Sequence, residues 1–200
     1  SSAASDVYKR QLKNKASVAE EFWKGVTDRT RVISLSHITS PTALVLPVEE
    51  IIARARQKGI LTIIDGAHTI GQVPLNLDAL GADFYGGNLH KWLMAPKGAG
   101  FLYARPEAQK LLKPLVVSWG KDQKDAGGLP FIDDNEWVGT RDVAAFLATP
   151  AAIQFQADHD WNSVRERCHR LAVEAQARIC ELTGLPPLHS ATDEWFVQMF

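Results

Sequence analysis

ILTIIDGAHTIGQVPLNLDALGADFYGGNLH, residues 60–90, decides the fold of this chain. Its first six residues, ILTIID, are apolar on consecutive positions rather than alternate ones, which predicts a strand covered on both faces. ADFYGG (82–87) repeats the pattern in a shorter form. Working upstream, RVISLSH (31–37) is a third β-branched, apolar run, and the polar, proline-containing HITSPT (37–42) ends it. PVEEIIARARQKG lies between these strands with the punctuation of a helix. Pro47 stands in the first turn, Glu49 and Glu50 near the positive end, basic residues late, and Gly59 at the stop. Strand, helix, strand calls for a right-handed crossover in a mainly parallel sheet, so the expected class is α/β with helices sandwiching that sheet.

Downstream, GAGFLYA (98–104) reads as a strand that returns in hairpin fashion after the short turn around MAPKG, and PEAQKLLK (106–113) as a brief helix. Leu115 to Gly139 loses periodicity and is expected to be a long loop of the kind that carries function. RDVAAFLATPAAIQFQADHD and NSVRERCHRLAVEAQARICELTG then read as two helices, the second ending at Gly184. The opening SSAASDVYKRQ, residues 1–11, is small and polar with no periodicity and is set aside as a non-native leader.

Bulk properties narrow the function. Lys plus Arg number 22 against 23 Asp plus Glu, and a net charge of −1 gives no field to steer the chain toward nucleic acid or an anionic membrane. Two cysteines without CxxC spacing, Cys168 and Cys180, suit packing in a reducing compartment better than a disulfide framework, and the cytoplasm is the expected location. His159, His169 and His189 lack the spacing of metal ligands, so no metal is expected. Trp119, Trp137, Trp161 and Trp195 have no basic stripe between them, which favours a role as core or interface anchors over base stacking.

In an open parallel sheet, ligands lie in the crevice beyond the carboxyl ends of the strands. Asp65 closes ILTIID, and His90 and Lys91 follow FYGG, so both groups belong to one crevice. Taken singly, Asp65 reads as half of an Asp-Gly turn and Lys91 as a solvated lysine. Together they offer what an aldehyde cofactor needs. An amine forms a Schiff base, and a carboxylate opposite a pyridine nitrogen keeps that nitrogen protonated so that the ring accepts carbanion electrons.

DGAHTIGQVPLNLDALGADFYGGNLHKWLMAPKGAGFLY resembles the class V aminotransferase family of pyridoxal-phosphate enzymes, which has the aspartate-aminotransferase-like fold (fold type I), and within it the isopenicillin N epimerase-like branch. The resemblance runs from about Arg31 to Asp142 over several separated motifs. It implies that Lys91 holds pyridoxal 5'-phosphate and later shuttles the substrate α-proton, and that Asp65 partners the pyridine nitrogen. It implies further that His68 packs near the ring-oxygen side and that His90 donates to the phosphate. Asn88 stands where many relatives carry a serine contacting the same phosphate. WVGTRD (137–142) resembles a segment that reaches the phosphate from a second subunit, with Thr140 as hydroxyl donor, and so implies a homodimer with shared active sites. Thr140 and Arg141 also suit a helix start before DVAAFLA, and the two roles are compatible. Ser36 and His37 fall at the same sheet edge; a turn role is expected for His37.

The implied activity is that of a fragment of a pyridoxal-phosphate enzyme acting on an amino acid through an external aldimine and α-proton abstraction, of aminotransferase or epimerase type. A cysteine desulfurase or C–S lyase of the same family is the alternative. It asks for a mobile thiol, whereas Cys168 and Cys180 fall in an expected helix. A non-catalytic α/β remnant or interaction module is the alternative from another class. A nucleotide-binding domain is disfavoured because RVISLSHITSPTA has no glycine after its strand. The resemblance also implies a phosphate loop upstream, which residues 12–30 do not supply, and a small closing domain downstream. The chain is therefore expected to hold the middle of a longer enzyme. Residues 12–150 would belong to the cofactor-binding large domain, and 151–200 would supply linking helices and the start of the smaller domain.

Overall fold

Among the described residues, four strands form one sheet whose spatial order matches their order in the chain. β1 (Val32–Ser36) pairs in parallel with β2 (Leu61–Asp65), β2 in parallel with β3 (Phe84–Asn88), and β4 (Gly100–Ala104) returns antiparallel to β3. The structure, a computed structural model, describes residues 14–122, 129–189 and 195–199. The leader expected at residues 1–11 lies outside the described residues.

α1 (Lys15–Trp23) precedes the sheet, and the sequence reading did not anticipate it. Asn14 and Ser17 form a reciprocal capping box that satisfies the first free amides of this helix. α2 (Val48–Gln57) is the expected crossover helix. Val48, Ile51, Ile52 and Ala55 recur at helical spacing, are buried, and pack on Ile33, Leu35, Ile64 and Tyr85 of the sheet. Gly59, at φ 65°, follows the end of α2 in a conformation that costs glycine little, and the short α3 (Leu77–Leu80) lies between β2 and β3.

The other sheet face is covered unevenly. Ser34, Ile63, Phe84 and Ala104 form one row across the strands. At its β4 end, Phe84 and Ala104 pack on Ala108 of α4 (Pro106–Gln109), with Phe131 of α5 (Pro130–Glu136) against them. At its other end Ile63 is 42% exposed and Val32 47%. ILTIID was expected to be covered on both faces; Thr62 and Ile64 are buried, whereas Ile63 on the opposite face stays exposed. α4 takes only the first half of PEAQKLLK. The long loop expected from Leu115 to Gly139 contains α5 and a 3-10 turn at Trp119–Asp122.

α6 (Ala144–Asp158) and α7 (Trp161–Thr183) follow, the second stopped by Gly184 at φ 67° as its sequence predicts. Val18 of α1, Leu44, Ala172 of α7, Trp195 and Phe196 form a second apolar cluster. Among the described residues no helix is long and apolar enough to cross a membrane.

Asp83, buried just before β3, ties the parallel strands together. Its carboxylate accepts from the Thr62 amide at 2.8 Å and the Thr62 hydroxyl at 3.1 Å, and pairs with Arg105 at 2.7 Å. Burial alone would raise its titration, but the Arg105 and Thr62 hydrogen bonds outweigh it and hold the carboxyl below 3.8. The stabilisation is therefore present above that pH and is lost as acid protonates the folded carboxylate. Asp83→Asn should lower the unfolding free energy by about 1–3 kcal/mol in urea at neutral pH, the range for leaving buried partners unsatisfied. The difference between variant and parent should shrink in strong acid.

Candidate active site

β2 and β3 end side by side, and each runs directly into a turn. The register sets Ser36, Asp65 and Gly86 level across β1, β2 and β3. Asp65 is exposed at this edge, and its Oδ1 accepts from the Ala67 amide at 2.9 Å, closing the Asp-Gly turn. Gly66 passes over the ring of Tyr85 so closely that a Cβ would stand 2.0 Å from a ring carbon. The turn continues through His68 and Thr69 to Gly71.

The second turn leaves β3 at Asn88. Ala95 donates to the Leu89 carbonyl at 2.9 Å and Met94 to the Lys91 carbonyl at 3.1 Å, which folds residues 89–95 back on themselves. Met94 takes a left-handed φ of 67°, an uncommon conformation for a side chain of its size. The two turns meet where Gly71, at φ 89°, lies against the backbone of Trp92 and Leu93. A Cβ on Gly71 would come within 2.5 Å of the Trp92 carbonyl.

This approach brings Lys91 and His68 together. Lys91 Nζ is 3.0 Å from His68 Nε2, and the Trp92 indole N–H donates to His68 Nδ1 at 3.3 Å. Burial first, and the positive charge of Lys91 second, pull the titration of His68 below its ordinary value; Asp65 opposes them. Both charged groups thus act on His68 at the same edge. His90, half-buried between Leu89 and Lys91, has a buried Nδ1 with no hydrogen-bond partner among the described residues. Asn88 is half-buried at the end of β3.

Thr140 is not part of this group. It is exposed in the segment between α5 and α6, whose N-cap is Val143 rather than Thr140 or Arg141, while Asp142 Oδ1 accepts from Ala144 N at 2.8 Å just before the helix. Arg141 instead stacks over Phe146 at 4.9 Å. His37 lies beneath the crevice, buried, with Nδ1 3.1 Å from the Tyr85 hydroxyl. Burial lowers the titration of His37, and burial pushes the Tyr85 phenol up to about 12. Both stay uncharged at neutral pH.

Residues not anticipated from sequence hold the two turns. Gln156 of α6 donates to the Trp92 carbonyl at 2.9 Å, Arg165 of α7 to the Gly71 carbonyl at 2.8 Å, and the buried Gln72 to the His68 carbonyl at 2.5 Å. Only Trp92 carried a signal, its place beside Lys91.

The donor set fits an anionic aldehyde cofactor with a ring nitrogen. It comprises an amine, a carboxylate, two imidazoles and an amide at one sheet edge, with the His90 Nδ1 left buried and unpaired for a ligand atom.

Comparison with known proteins follows the same line. The family model described as aminotransferase class-V matches residues 6–194. The chain is 39% identical over 183 residues to an isopenicillin N epimerase of Amycolatopsis lactamdurans, an alignment covering 87% of this chain and 46% of that protein. It is 36% identical to a putative L-cysteine desulfhydrase 1 of Oryza sativa subsp. japonica, over 78% of this chain and 32% of that protein. Among solved structures it is similar to the cysteine desulfurase CsdA of Escherichia coli, at TM-score 0.67 and 25% identity over 81% of this chain and 41% of that one. It is also similar to a C-DES mutant with glycine covalently linked to its PLP cofactor, at TM-score 0.66 and 27% identity over 76% and 43% of the two chains. The chain thus spans less than half the length of the relatives named here.

The depressed titration of His68 generates a test. In a proton NMR titration His68 should take up its proton below pH 6.5. Replacing Lys91 with Met should move that midpoint upward without restoring it fully, because burial is the larger cause and remains. An unmoved midpoint would contradict the coupling.

Proposed function

Because this chain belongs to the class-V aminotransferase family, whose fold type I sheet it shares, we propose that it carries the cofactor-side residues of a pyridoxal-phosphate enzyme acting on an amino acid. The observation that supports this most directly is the placement of Lys91 Nζ 3.0 Å from His68, at the same strand ends as Asp65. Pyridoxal phosphate, when bound, supplies an aldehyde that takes up amines and a ring that accepts electrons. The chain supplies the rest. Lys91 would hold the cofactor at its aldehyde carbon through Nζ, and the same amine, when free, is placed to take up a substrate α-proton. Asp65, a carboxylate on the solvent side of the sheet edge, holds a proton on the ring nitrogen. His68 packs beside the ring-oxygen side. His90, with its unpaired buried Nδ1, and Asn88 hold the phosphate.

Thr140 completes the phosphate contacts from a second copy. Its exposed position, apart from the Lys91 group, agrees with a role across a homodimer interface. Cys168 and Cys180, both free thiols in α7, agree with a reducing, cytoplasmic setting.

For the outcome after proton removal we favour aminotransferase or epimerase chemistry, supported by the identity to isopenicillin N epimerase. The likeness to the desulfhydrase and to CsdA supports C–S bond cleavage as the second reading. Against it stands the position of both described thiols along a regular helix rather than on a loop beside Lys91.

Borohydride added to the protein with pyridoxal phosphate should leave a reduced adduct on Lys91, absent in Lys91→Ala; an adduct retained at another lysine would overturn the assignment. Asp65→Ala should still bind some cofactor while turnover falls by about 100-fold or more, the low end of the range for losing a proton-handling group. Incubation with a panel of amino acids, including cysteine, followed by chiral separation and sulfide detection, separates the outcomes. Inverted or keto-acid product is expected; sulfide as the sole product would decide for the second reading.

A further inference from the structure

A cavity of about 430 Å³ lies between the start of α1, the turn after β1, the first turn of α2 and the segment that enters α3. Its volume is within the range of about 300–1,000 Å³ found for small-molecule sites. None of Asp65, His68, Asn88, His90 and Lys91 lines it. Its charged lining residues are Lys15 and Glu49, one of each sign. Among the described residues neither makes an ion pair, whereas Glu20 and Glu50 both pair with Arg54. His37 lines the same cavity and is 5% exposed. Lys15 and Glu49 are the charged residues that act on its imidazole, in opposite directions. The Tyr85 hydroxyl engages His37 Nδ1 at 3.1 Å, and among the described residues Nε2 has no hydrogen bond. We propose that this cavity binds a small amphoteric molecule, an α-amino acid with an aliphatic side chain, its carboxylate on Lys15 and its ammonium on Glu49.

Charge selects this class. A dicarboxylate or phosphate ester would bring surplus negative charge against Glu49, and a diamine would set a cation against Lys15. A purely apolar molecule would cover both charges and answer neither. A ligand with one group of each sign makes a charge-assisted hydrogen bond at each end. It also suits the neutral imidazole, since Nε2 donates to a carboxylate if the Tyr85 hydroxyl protonates Nδ1, and accepts from an ammonium if Nδ1 keeps the ring proton. The aliphatic part is met by Val45, Val73, Leu75 and Val197. That wall is held by the backbone: Val45 N donates to the Trp195 carbonyl at 2.7 Å, and His169 Nδ1 lies 2.7 Å from the Val197 carbonyl.

The proposal does not rest on the preceding reading, which gives none of these residues a role, and its test uses no cofactor. L-leucine titrated into the cofactor-free chain should shift the His37 ring signals saturably in proton–carbon NMR, with His37 assigned by triple resonance. Glu49→Gln and Lys15→Met, with the fold checked by circular dichroism, should each weaken that binding by about tenfold or more, as expected for losing a hydrogen bond to a charged group. Isocaproate, which lacks the amine, and isoamylamine, which lacks the carboxylate, should bind more weakly than leucine by a similar factor. Lys91→Ala should bind leucine as the parent does. A parent without a saturable shift, an unchanged affinity in either charge variant, or an analogue that binds as tightly as leucine would overturn the proposal. So would loss of binding in a folded Lys91→Ala, which would put the leucine at the Lys91 edge. The two analogues keep the test decisive if a variant does not fold. Whether Lys91 traps pyridoxal phosphate has no bearing on these outcomes.

Discussion

Everything at the candidate site depends on two turns touching at Gly71. Parallel pairing of β2 and β3 sets Asp65 and Gly86 level, but it does not by itself bring His68 back over Lys91. That requires the backbone after β2 to lie directly on the backbone of Trp92 and Leu93, which leaves no room for a Cβ and asks for a φ of 89°. Only glycine meets both conditions at low cost. Gly66 has a parallel duty one step earlier, where the chain crosses the Tyr85 ring. The chemistry-bearing side chains are thus placed by two residues with no side chain.

The polar layer below the crevice is kept electrically quiet. His37 and Tyr85 lie under the edge that carries Asp65 and Lys91, hydrogen-bonded to each other. Burial depresses the basic group and raises the acidic one, so neither adds a charge beneath the site. The charges in reach of His68 are those of Asp65 and Lys91, one of each sign, while the Asp83 and Arg105 pair serves the strand starts rather than the strand ends.

The sequence is legible where a repeating physical rule applies. β1, α2 and β2 stand out because apolar spacing, terminal charges and Gly59 agree with one another, and the antiparallel return of β4 follows from the shortness of the turn before it. The meeting of Asp65 with Lys91 at one edge follows from topology, since both close parallel strands. Other features follow no periodic rule. The indole of Trp92 facing His68 depends on how two irregular turns stack, and Gln156 and Arg165 arrive from helices far along the chain. The cap of α1 was legible in Asn14 and Ser17, but its weakly patterned sequence hid it. The exposure of Ile63 is invisible to a pattern that reports a strand's own residues and not what lies over them.

The agreement between spatial and chain order in the sheet bears on how the molecule comes into being. Among the described residues, each strand after β1 pairs with the one synthesised just before it. Loop closure then costs little entropy at each addition, and the edge exposed during growth is the edge the next strand takes up. Asp65 and Lys91 are consequently brought to one edge as soon as β3 docks on β2, before α6 and α7 leave the ribosome to hold them there.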